Sequence, residues 1–170
     1  MSPIRPLLRL LAGLGLATLL AGPATAANDS LKPGDPFPNL TRYKLAGALP
    51  EGWQGKVLLV DFWASWCAPC KTSFPVMDEL QKTYGPRGFL VIAVNVDEKA
   101  ADMEAFLRKT PAHFTVVRDV EQKLVAAANA ATMPTSFVVD ATGRVRFLHS
   151  GYHGGETRAK YREEIESLLK

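Results

Sequence analysis

Cysteine is nearly missing from this chain: 170 residues hold two. Both fall in one tetrapeptide, Cys67-Ala68-Pro69-Cys70. No third cysteine is present to build a structural disulfide elsewhere, so sulfur chemistry within the chain is confined to this pair. Histidine is scarce as well, with only His113, His149 and His153. Structural zinc takes four ligands, and none of the three histidines is spaced like a finger partner of the cysteines. A surplus of one charge is also lacking. The formal net charge is +3, and Arg5 and Arg9 lie in a segment expected to be removed. Without residues 1–26, 18 basic residues face 17 acidic ones. That balance gives no reason to expect nucleic acid or an anionic surface as a partner. Long apolar runs are missing too. The stretch over residues 10–21 has 12 residues, short of the ~20 that span a bilayer core.

What is present is ordinary globular composition, 47% hydrophobic and 22% charged, at a length suited to one domain. Residues 1–26 have the layout of a cleaved signal peptide. Arg5 and Arg9 form a basic start, an apolar stretch follows, and Ala24-Thr25-Ala26 makes a small-x-small cleavage site. An uncleaved N-terminal membrane anchor is the alternative. Residues 27–38, rich in Pro, Asp and Gly, read as an irregular lead-in, and the domain proper is placed at 39–170.

Residues 39–45 suggest a short strand. Residues 57–63 (VLLVDFW) are continuously apolar apart from Asp61, the pattern of a strand buried on both faces. A helix is expected over about 68–84, kinked at Pro75 and stopped by Gly85-Pro86. Further strands are expected at 89–96, 114–117, 136–140 and 144–149, the last two joined by Ala141-Thr142-Gly143. Helices are expected at 99–109, 121–128 and 156–169, the last with Ile165, Leu168 and Leu169 inward. Alternating strands and helices imply parallel crossovers, followed by an antiparallel hairpin.

The cysteine motif sits where a buried strand gives way to a helix. Cys67 then lies at the helix start, where unpaired N–H groups stabilise an anion. The thiolate is the nucleophile, so this placement activates Cys67. Cys70, three residues on, can attack a mixed disulfide on Cys67 and release the product. Pro69 suits the first turn, where its missing N–H costs nothing. Asp61 is an acid inside an apolar strand. Its pKa should rise, which suits it to pass a proton to or from Cys70. Trp63 reads as core. Trp66 should shield the cysteines and offer a flat apolar surface to a partner. His149 and His153 read as surface residues. Residues 151–155 (GYHGG) lack the strand–loop–helix lysine pattern of a phosphate loop and read as a turn.

The segment Val60-Asp61-Phe62-Trp63-Ala64-Ser65-Trp66-Cys67-Ala68-Pro69-Cys70-Lys71 resembles the active-site segment of thioredoxins. The exported setting, Phe74-Pro75 and Val94-Asn95-Val96-Asp97-Glu98 are more similar to the TlpA/ResA branch. The resemblance spans about residues 35–169. It implies a thioredoxin-like three-layer α/β/α fold of the α/β class, with a central mixed sheet and a C-terminal β-hairpin plus helix. It implies exported, periplasmic or membrane-tethered disulfide reductases, some serving cytochrome c maturation. It also implies a cis-proline beside the cysteine pair, carried here by Pro134. The preceding Met133 would then pair its backbone with the substrate, in a substrate-facing wall with Trp66, Ala68 and Pro69. Some members carry an acid three residues after the second cysteine; here that position is Ser73, while Glu98 has a counterpart in the family.

A reductase of exported protein disulfides is therefore expected, acting by dithiol–disulfide exchange without metal or cofactor. Ala68-Pro69 places no histidine beside Cys67 to stabilise its thiolate further, which argues for reduction rather than oxidation. The resemblance implies a membrane thiol transporter of the DsbD/CcdA type as electron donor. Nothing in the sequence resembles a dimerisation arm, so a monomer is expected. A thiol oxidase or isomerase is the alternative enzyme. A copper- or haem-protein assembly factor acting on client cysteines is the alternative from another class. The Pro-x-x-x-Thr/Ser-x-x-Cys pattern of thiol peroxidases is absent.

Overall fold

The computed structural model describes residues 31–169; the leader expected over 1–26 lies outside the described residues. The described strands are β1 (Leu45–Ala46), β2 (Val57–Trp63), β3 (Phe89–Asn95), β4 (Thr115–Asp119), β5 (Thr135–Val139) and β6 (Val145–Ser150). The helices are α1 (Ala68–Tyr84), α2 (Ala100–Lys109), α3 (Lys123–Ala127) and α4 (Gly155–Leu168). The sheet runs β1-β4-β3-β2-β5-β6. Strands β2, β3 and β4 are parallel, and β5 joins β2 antiparallel. β2 is thus central, flanked by β3 and β5, and all seven of its residues are buried. Burial on both faces is why its apolar run does not alternate.

The two faces of β2 supply two cores. Leu58, Val60 and Phe62 pack with Leu124 and Ala128 at α3, beside Leu31 and Phe37 of the lead-in and Trp53 of the loop before β2. Val57 and Leu59 face the other way, onto Met77, Leu80 and Tyr84 of α1 and Tyr161 and Ile165 of α4. Trp63, on this second face, meets Phe74 of α1 and Phe106 of α2. The mixed sheet between helical layers is the α/β/α arrangement expected from the sequence.

Some expectations need correction. Residues 39–45 do not form one strand. The Asn39 side chain accepts the Thr41 N–H at 3.0 Å and starts a single 3₁₀ turn over Leu40–Arg42, leaving only Leu45–Ala46 to pair with β4. The inward stripe of α4 is Thr157, Tyr161 and Ile165, spaced by four; Leu168 and Leu169 only flank it half-buried. The lead-in is irregular yet tied down. Gly34 N–H donates to Val145 O at 2.7 Å, Val145 N–H to Asp35 O at 2.9 Å, and Phe37 N–H to Gly143 O at 2.9 Å. Pro75 falls inside α1, which continues beyond it to Tyr84.

Candidate active site: a disulfide at a helix start

β2 delivers the chain to the start of α1 through Ala64, Ser65 and Trp66. Cys67 is the N-cap residue of α1, with Pro69 in the first turn as the sequence suggested. Cys67 and Cys70 form a disulfide, S–S 1.98 Å, Cα–Cα 5.3 Å. The Cys70 N–H donates to Cys67 Sγ at 3.2 Å. One helix-start N–H left over by the α-helical pattern, that of Cys70, is thus aimed at this sulfur. Cys70 is fully buried and Cys67 nearly so. Ala68 and Pro69 beside them are exposed. Trp66 is 70% exposed, the one exposed large apolar side chain among the described residues.

The walls are apolar. Trp63, Ala64, Phe74, Ala93 and Phe106 pack around the cysteines, and half-buried Met133 packs against the same cluster. Met133–Pro134 is a cis peptide, immediately before β5. Ser73, at the position where the resemblance implies an acid in some members, is buried and donates its hydroxyl to Cys70 O at 2.9 Å, a neutral contact. Glu98 is exposed and stands one residue before Lys99, the N-cap of α2.

Asp61 is completely buried. Side chains alternate along a strand, so it lies on the α1 face of β2, between Leu59 and Trp63. Ser136, its partner across the β2–β5 ladder, donates Oγ–H to Asp61 Oδ1 at 2.5 Å. Asp61 Oδ2 has no partner. Burial, only partly offset by the Ser136 hydrogen bond, pushes the Asp61 carboxyl up to about 7.

Sequence reasoning missed three supports. Asp97 is nearly buried and takes the Ser65 N–H on both carboxylate oxygens, each at 3.1 Å. Asn95 Nδ2 donates to Asp97 Oδ2 at 2.9 Å and steadies it. This clamp fixes the loop just ahead of Trp66-Cys67. Its signal was visible: two polar residues closing the apolar strand at 89–95. Ser136 and Tyr161 are the others, with Tyr161 Oη 2.7 Å from Ser136 Oγ. Tyr161 lies four residues before Ile165, so the helical period pointed it inward. His149, expected at the surface, is instead half-buried, edge-on to the Tyr161 ring and 2.7 Å from Glu164 Oε2.

A cysteine pair at a helix N-cap, set at the end of a central parallel strand beside Met133–Pro134, defines the thioredoxin-like class of thiol–disulfide oxidoreductases. A family model described as redoxin matches residues 32–165. The chain belongs to the redoxin family. It is 32% identical over 114 residues to the thiol-disulfide oxidoreductase ResA of Geobacillus kaustophilus, covering 67% of this chain and 66% of that one. Against ResA of Bacillus subtilis it is 30% identical over 122 residues, 71% of this chain and 68% of that one. The chain thus spans about two thirds of the length of these curated relatives. A solved structure of a Chlorobium tepidum protein, assigned as the thiol:disulfide interchange protein DsbE, superposes with a TM-score of 0.76 at 36% identity. It covers 83% of this chain and 100% of that chain.

Proposed function

We propose that this protein reduces disulfides in exported proteins, cycling Cys67 and Cys70 between dithiol and disulfide. The observation that carries this reading is the cysteine pair at the α1 N-cap, with exposed Trp66, Ala68 and Pro69 around a nearly buried Cys67. In the reduced protein the Cys67 thiolate attacks one sulfur of a client disulfide. A Cys67–client disulfide forms and the other client sulfur leaves as thiolate. Cys70 then gives its proton to Asp61 and attacks the Cys67 sulfur. The Cys67–Cys70 disulfide closes, the second client thiolate departs, and Asp61 hands on its proton to it. Two electrons have passed from the pair to the client.

The direction rests on what surrounds Cys67. Its sulfur takes a hydrogen bond from Cys70 N–H and lies in the apolar cluster of Trp63, Phe74 and Met133. No histidine stands between the cysteines to deepen the thiolate well. A less stabilised thiolate makes the dithiol a better reductant. Trp66, Ala68, Pro69 and half-buried Met133 form the surface a client meets, with buried Pro134 setting the position of Met133 rather than touching the client, and the protein works as a monomer. A membrane thiol transporter of the DsbD/CcdA type returns electrons to the pair, as in the branch the sequence resembles. The test is equilibration with glutathione or dithiothreitol, alongside reduction of a protein disulfide by the dithiol form. The expected potential lies nearer about −270 mV than about −120 mV. A value near the second figure would assign the protein to oxidation.

The site of action is outside the cytosol, in the periplasm, on the signal-peptide layout of residues 1–26. Intact-mass measurement of the exported protein is expected to show a chain beginning at Ala27. A chain retaining Met1 would favour the membrane-anchored form.

A further inference from the structure

Asp61 is held unequally. Oδ1 receives Ser136 Oγ–H at 2.5 Å, and Oδ2 is buried with no hydrogen-bond partner. Ser136 Oγ also meets Tyr161 Oη at 2.7 Å. Each hydroxyl owns one proton, which fixes the order of donation. Ser136 gives its proton to Asp61 Oδ1. It then has none for Tyr161, so Tyr161 donates to Ser136. The chain runs Tyr161 to Ser136 to Asp61, one way. Reversing it would strip the only donor from a buried carboxylate, which is costly. Tyr161 sits fully buried on α4, and burial raises its phenol further from ionising. It therefore stays a donor through the range where Asp61 titrates.

Charged and titratable neighbours are few. From α4 come Tyr161 and, beyond it, Glu164; from β6 comes His149, paired with Glu164; Tyr152 and Glu164 act on Tyr161 electrostatically. From the start of α1 come Cys67, its N-cap, and Cys70, both packed with Ala93. On β3 the residue opposite Asp61 is Ala93, which is uncharged. No cation among these groups contacts Asp61, so its basicity is set by burial and by the hydroxyl chain.

We propose that Ser136 and Tyr161 are positioning residues for the exchange reaction. Ser136, held in turn by Tyr161, binds Oδ1 whether Asp61 is ionised or protonated, and so reserves Oδ2 as the oxygen that takes and returns the proton of Cys70. The inference rests on the proposed exchange, with Asp61 as its proton partner. In the resolving step Cys70–SH loses its proton to Oδ2. Cys70 sulfur bonds to Cys67 sulfur, the client sulfur leaves as thiolate, and the proton on Oδ2 is then released to it. The Oδ1 contact is unbroken throughout. Relayed donation also stabilises the carboxylate, keeping its titration lower than burial alone would leave it.

The test uses the reduced full-length mature protein and Ellman's disulfide. Attack by Cys67 releases one thionitrobenzoate; resolution by Cys70 releases a second in a separate phase. The second phase is followed across pH. In the parent protein it should show an inflection that belongs to the coupled Asp61–Cys70 pair. Ser136→Ala should move that inflection up by about one unit, and Tyr161→Phe by a smaller amount in the same direction. Ser136→Thr keeps a hydroxyl and should restore the parent profile. Adding Ser136→Ala to Asp61→Asn should move the profile no further than Asp61→Asn alone. Profiles of Ser136→Ala and Tyr161→Phe that overlay the parent, while Asp61→Asn changes it, would overturn the hydroxyl chain and leave the exchange intact. A second phase missing in the parent, or unaltered by Asp61→Asn, would instead strike the proposed exchange or its proton partner.

Discussion

Replacing Asp61 by asparagine is expected to make the protein more stable above neutral pH and no more stable in acid. In the unfolded chain an aspartate ionises near 3.8; in the folded protein burial lifts Asp61 to about 7. The folded state therefore holds this proton more tightly than the unfolded state does. The stability Asp61 contributes is full below about pH 4 and is lost as pH rises through about 7. Above that point the difference of about 3 pKa units corresponds to about 4 kcal/mol set against folding. Asparagine carries no charge to bury. It keeps an oxygen for Ser136, but its amide N–H₂ occupies the unpartnered Oδ2 position, at a cost of about 1–3 kcal/mol. The net expectation at pH 8 is a gain of about 1–3 kcal/mol for Asp61→Asn, turning to a small loss at pH 4. Denaturant midpoints of the two oxidised proteins across this range should cross. Parallel curves would show that Asp61 is ionised in the folded protein well below neutrality.

The two cysteines are expected to fail in different ways. Cys67→Ser removes the sulfur at the helix N-cap and leaves Cys70 fully buried behind it. That variant should neither turn over nor form adducts with client disulfides. Cys70→Ser keeps the attacking sulfur and removes the resolver. It should lose turnover yet accumulate a client on Cys67 as a mixed disulfide, seen on non-reducing gels and reversed by dithiothreitol. The asymmetry follows from burial: Cys67 is 4% exposed and Cys70 0%. Equal adduct formation by both variants would refute the assignment of attacker and resolver. Mass spectrometry of the Cys70→Ser adducts would also name the clients.

Much of this site was legible in the sequence. The abrupt change from a fully apolar run to Cys-Ala-Pro-Cys marks a strand end and a helix start, because the periodicity changes there. Asp61 stood out as the single charge in that run. Pro134 and Met133 were placed by resemblance rather than by local physics, since most bonds before proline are trans. What stayed hidden was pairing across distance. Nothing local says that Ser136 sits opposite Asp61, because strand register is set by tertiary structure. Asp97 could be seen as a polar residue just past an apolar strand, but the amide it holds is 32 residues away, so its pairing with Ser65 could not. The misjudged strand at 39–45 failed for a local reason, the Asn39 turn, which competes with extended backbone.

The lead-in has a consequence for how the molecule can be attached. Residues 34–37 hydrogen-bond to residues 143–145, at the start of β6. β6 is antiparallel to β5, and β5 to β2, so this start lies level with the beginning of β2. The cysteines follow the other end of β2, seven residues on, or about 23 Å of strand. Anything joined to the amino-terminal side of the domain is therefore held at its rear. Trp66 and Cys67 look away from such an attachment, so a bilayer, a resin bead or a fused partner there would leave the reactive rim unobstructed.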